Sequence, residues 1–60
     1  MKLTYLVANA AWVFTFGDSL IRLGDRDHER ELFYSLRSHA VSEAKYFGLR
    51  VNADNTVQLA

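Results

Sequence analysis

Two histidines and a band of basic residues are the side chains in this sequence best suited to chemistry. His28 and His39 are too far apart to share a metal ion, since on a helix their separation is three turns, about 16 Å. His39 and Glu43 stand four positions apart on one helical face and could supply two ligands. No third ligand accompanies them, and the absence of cysteine removes a thiolate site. The expectation is no metal and no cofactor, with the imidazole paired to the carboxylate at the surface. The cations are the second candidate. Arg30, Tyr34, Arg37, Val41 and Lys45 recur at steps of three and four, so a helix would align them in one stripe. Cations, an aromatic ring and an aliphatic side chain together can meet a protein partner, or hold phosphate as a nucleic-acid site. Against phosphate, Asp27, Glu29 and Glu31 interleave with Arg26 and Arg30. The chain has seven basic and seven acidic residues and no net charge, so any nucleic-acid binding rests on the stripe alone.

A further constellation lies around the first glycine. The string Phe16-Gly17-Asp18-Ser19-Leu20 resembles the first block of the GDSL (SGNH) esterase and lipase family, where that block follows a strand. The resemblance implies Ser19 as nucleophile. Asp25-Arg26-Asp27-His28 is similar to the family's Asp-x-x-His block, which implies Asp25 and His28 as its partners. In the family the second block lies near the C-terminus of a far longer chain. The intermediate glycine and asparagine blocks, which supply oxyanion donors, have no counterpart here, and 60 residues are too few for a multilayer α/β fold. A Gly-Asp hairpin turn accounts for the first string and helix capping for the second. The expectation is a chain that is not an enzyme.

Periodicity defines the elements that must position these residues. Residues 25–47 read as one long amphipathic helix, with Asp25 as N-cap and Asp27 and Glu29 favourable in its first turn. Phe33, Leu36, Ala40, Ala44 and Phe47 form its apolar face, Lys45 suits the last turn, and Gly48 marks the stop. At about 33 Å such a helix would overhang strands of 17–20 Å. Upstream, residues 3–7 alternate as a strand, 8–11 form a turn, and 11–16 form a second strand. Gly17 and Asp18 suit a two-residue type II′ turn, which sets Phe16 opposite Ser19, Phe14 opposite Ile21, and Trp12 opposite Leu23. Trp12, Phe14, Phe16, Ile21 and Leu23 then make an apolar bed for the helix. The reverse face carries Leu6, Val13, Leu20 and Arg22, more aliphatic than a wet sheet requires, and is a candidate oligomer interface. Residues 49–51 and 56–59 alternate around the polar loop 52–55 as a C-terminal hairpin.

The resulting order is β-β-β-α-β-β, a single small α+β domain over residues 1–60, with an antiparallel sheet covered on one face by one long helix. A chain this short hides only about 60% of its unfolded surface, so its core is lean. With no disulfide available, oligomerisation is the natural supplement, and a homodimer is expected. The apolar run after Lys2 is interrupted by Thr4, Tyr5 and Asn9, unlike a signal peptide, and nothing approaches the roughly 20 apolar residues of a membrane span. A soluble, cytoplasmic protein is expected. The function expected is that of a small non-catalytic binding or regulatory module, acting through self-association or docking on a protein partner. The alternative is a small nucleic-acid-binding protein that uses Arg30, Tyr34, Arg37 and Lys45.

Overall fold

The computed structural model describes residues 1–23 and 33–60. Alternating apolar residues build three strands, β1 (Lys2–Leu6), β2 (Ala11–Phe16) and β3 (Ser19–Ile21), in one antiparallel sheet ordered β1-β2-β3. A single 3-10 turn, Val7–Asn9, joins the first two and is closed by Ala10 in the left-handed region at φ 49°. Leu3 lies opposite Phe14, Thr4 opposite Val13, and Tyr5 opposite Trp12. At the second turn Gly17 has φ 63° whereas Asp18 stays at negative φ, as a type II′ turn requires. The expected pairs Phe14–Ile21 and Phe16–Ser19 follow.

Past Ile21 the edge of β2 changes partner. Trp12 does not face Leu23. It exchanges two backbone hydrogen bonds with Tyr34, at 2.8 and 2.9 Å. This contact corrects the expected start of the helix. A residue whose N–H and C=O are both committed to a neighbouring strand cannot also belong to an i→i−4 ladder. Accordingly α1 runs only Arg37–Tyr46, with Leu36 extended (φ −123°, ψ 143°) at its N-cap. The expected cap at Asp25 and the first-turn Asp27 and Glu29 lie outside the described residues. Ten residues make about 15 Å of helix, so α1 matches the strands in length and does not overhang them. Its C-terminal stop is the one expected: the Gly48 N–H donates to the Lys45 carbonyl at 3.0 Å, and Gly48 takes φ 76°.

Beyond that stop, β4 (Leu49–Val51) and β5 (Val57–Leu59) form a second antiparallel pair. The two sheets meet at the start of β1. Lys2 bridges Thr56, the Leu3 N–H donates to the Asn55 carbonyl (2.8 Å), and the Val57 N–H donates to the Met1 carbonyl (3.0 Å).

Leu3, Phe14, Ala40 and Ala44 form the buried centre, with Trp12, Ile21, Leu23, Tyr34, Val41, Leu49, Val51 and Val57 packed around it. The two alanines, one turn apart and wholly buried, let the helix backbone come down closely onto Leu3 and Phe14. Tyr34 adds an edge-to-face contact with Phe14, ring centroids 5.8 Å apart. Phe33 and Leu36, expected on the helix's apolar face, are exposed because they precede α1, where a 3.6-residue period has no meaning. Phe16, expected in the bed beneath the helix, is 66% exposed at the end of the β2–β3 hairpin. Val13 faces the other way from Phe14 and is also fully buried, so the middle of β2 is enclosed on both faces. The architecture is α+β in the order β-β-β-α-β-β. No described helix is long and apolar enough to cross a membrane.

Candidate functional site

The five residues expected to share one helical stripe do not form one. Arg30 lies outside the described residues. Tyr34 precedes α1, with its backbone bonded to Trp12 and its ring against Phe14. Arg37, in the first turn of α1, points into the C-terminal hairpin. Its Nε donates to Asn55 Oδ1 at 2.8 Å and its Nη2 to the Asn52 carbonyl at 3.1 Å. The loop that receives it is itself tightly bonded. Asn55 is left-handed (φ 71°), and Asn52 Nδ2 donates to Thr56 Oγ1 at 2.9 Å. The Asp54 carboxylate accepts from Thr56 Oγ1 at 2.6 Å and from the Thr56 N–H at 3.1 Å. Those bonds, the side-chain one foremost, hold the Asp54 carboxyl below the ordinary carboxylate range. Arg37 is therefore a latch between helix and hairpin.

Val41 and Lys45 continue along the helix from Arg37, one turn apart. With Leu49, Arg50 and Val51 of β4 and with Ala60 they line an open, largely apolar groove of about 300 Å³. Successive side chains of a strand point to opposite faces, so an opening lined by three consecutive strand residues follows the strand's edge. β5 occupies one edge of β4 and no described strand pairs with the other, while Ala60, which follows β5, also lines the groove. The hydrogen-bond phase agrees. Across the hairpin the Asn52 N–H donates to Thr56 and the Ala60 N–H to Gly48, which turns the N–H and C=O groups of Leu49 and Val51 away from β5. Among the described residues nothing bonds to these outward groups. Lys45 and Arg50 are the charged side chains of the lining, and neither forms an ion pair among the described residues.

The remaining candidates are dispersed. On the reverse face Val13 is removed from the expected oligomer interface, because it is already enclosed within one chain. Leu6 is half-buried, Leu20 is exposed, and Arg22 is exposed but already engaged within the chain. Ser19 sits exposed at the start of β3, paired across the turn with Phe16, whereas Asp25 and His28 lie outside the described residues. His39 and Glu43 form no ion pair with each other, which corrects the expected surface pairing. Among the described residues no three histidine, cysteine or acidic side chains gather into a metal site. Leu49, Arg50, Val51 and Ala60 are the groove residues that sequence reasoning missed. No local signal says which strand edge stays open. Comparisons with protein-family models, with curated proteins and with solved structures find no match to this chain.

Proposed function

We propose that this chain is a non-catalytic binding module that acts through protein–protein contacts in the cytoplasm, docking its partner in the groove between α1 and β4. The groove carries the reading: an apolar floor of Val41, Leu49 and Val51 lies beside two cations that form no ion pair among the described residues. Of the expected partner-binding residues, Val41 and Lys45 line it, while Arg37 and Tyr34 support the fold around it. A nucleic-acid role gains nothing from this arrangement, since Arg37 is bonded to the hairpin and Tyr34 packs in the core. The reading includes self-association through the reverse face around Leu6, Leu20 and Arg22, and a strict monomer by light scattering at high concentration would remove that half.

Site-specific photocrosslinking tests the docking surface. A photoreactive side chain at Val41 or Lys45 should trap a protein in the producing cell, and the same group at the exposed Ser38 or Ser42 should not. Equal yields at all four positions, or none, would refute docking in the groove. Purified protein should hydrolyse no simple ester, and hydrolysis abolished by Ser19→Ala would overturn the non-catalytic reading.

A further inference from the structure

We infer that the groove receives an extended, acidic peptide segment as an added β-strand on the free edge of β4. This inference rests on the docking reading and specifies the partner's chemistry. Leu49 and Val51, both lining the groove, turn away from β5 N–H and C=O groups that nothing bonds among the described residues, and a sheet edge in that state is a template for another strand. An α-helix, about 10–12 Å across with its backbone groups already bonded to one another, could not use these donors and acceptors.

The register follows from the pleat. An antiparallel segment that bonds at Leu49 and Val51 places its intervening residue directly across from Arg50, in the pair where side chains approach most closely. That residue shares Arg50's face and must be acidic. The residues on either side of it share the face of Leu49 and Val51, beside Val41, and must be apolar. Lys45, which lines the same groove, extends the positive field over the segment. The groove therefore selects an apolar–acidic–apolar sequence in extended form. A second copy of this chain fits worse: the two-fold pairing that uses both bonding residues sets Arg50 against Arg50, and like charges directly opposite are destabilising.

The test is an amide NMR titration of the 60-residue chain. Its probe is acetyl-Thr-Val-Glu-Val-Thr-amide at low salt. The amide protons of Leu49 and Val51 should move downfield as they become hydrogen-bonded, with smaller changes at Val41, Lys45 and Arg50. Replacing glutamate by lysine in the peptide should weaken binding at least ~10-fold, as should methylating both valine nitrogens, which removes the peptide's donors. Arg50→Glu, at an exposed position, should reverse the preference in favour of the lysine peptide. Unchanged Leu49 and Val51 amides at millimolar peptide would overturn the inference, and so would equal binding of the N-methylated peptide. Either result leaves docking in the groove to be judged by the crosslinking yields at Val41 and Lys45.

Discussion

Replacing Arg37 by methionine should release the helix from the C-terminal hairpin while keeping most of the side chain's apolar stem. The wild-type guanidinium donates two hydrogen bonds, to Asn55 Oδ1 at 2.8 Å and to the Asn52 carbonyl at 3.1 Å. A hydrogen bond from a charged donor contributes about 1.5–3 kcal/mol. Both bonds here are only partly buried, so water replaces some of each, and the low end of that range applies. The expected loss is about 2–3 kcal/mol, which for a domain of this size lowers Tm by roughly 16–24 °C. Urea unfolding followed by the fluorescence of Trp12, the single tryptophan, measures it directly. Asn55→Gly is the second corner of the cycle, since glycine accepts the left-handed φ of 71° and removes the acceptor. The two substitutions share one bond, so the double variant should lose less than their sum by about 1 kcal/mol. A loss below about 0.5 kcal/mol for Arg37→Met, or strict additivity with Asn55→Gly, would refute the latch and return Arg37 to the solvent.

Gly48→Ala isolates backbone strain from packing. A Cβ there meets nothing within 4 Å, yet φ is 76°, so chemical denaturation should show a loss of about 1–2 kcal/mol. Ala44→Leu inserts a large side chain into the buried cluster with Leu3 and Phe14, and should cost about 1–3 kcal/mol in the same assay. The Asp54 carboxyl is shifted down in the folded state by its bonds to Thr56. Its contribution is therefore complete above the ordinary carboxylate pKa and is lost as pH falls through the lower, folded value. An acid titration of the Thr56 amide should report that step, and Asp54→Asn should abolish it.

The local geometry of this protein was legible wherever neighbours in sequence settle it. Strict alternation located β1 and β2. Gly17-Asp18 set the β2–β3 register through its turn, and Gly48 ended the helix because a left-handed residue is needed there. The buried pair Ala40 and Ala44 also followed from their one-turn spacing. The helix start did not. Phe33, Tyr34 and Leu36 carry a helical period, but two hydrogen bonds to Trp12 hold Tyr34 at the sheet edge, and a period of 3.6 does not reveal a competing strand. For the same reason the stripe Tyr34-Arg37-Val41-Lys45 is broken: its first member went to the core and its second to the hairpin. The burial of Val13 was equally invisible, since alternation says which residues share a face but not whether that face is covered. By itself the sequence determined the class of fold, the turn types and the absence of cysteine chemistry, all of which depend on residue type and short-range spacing. Only the tertiary structure decided which cations stay available and which strand edge stays open, because both depend on partners that are distant along the chain.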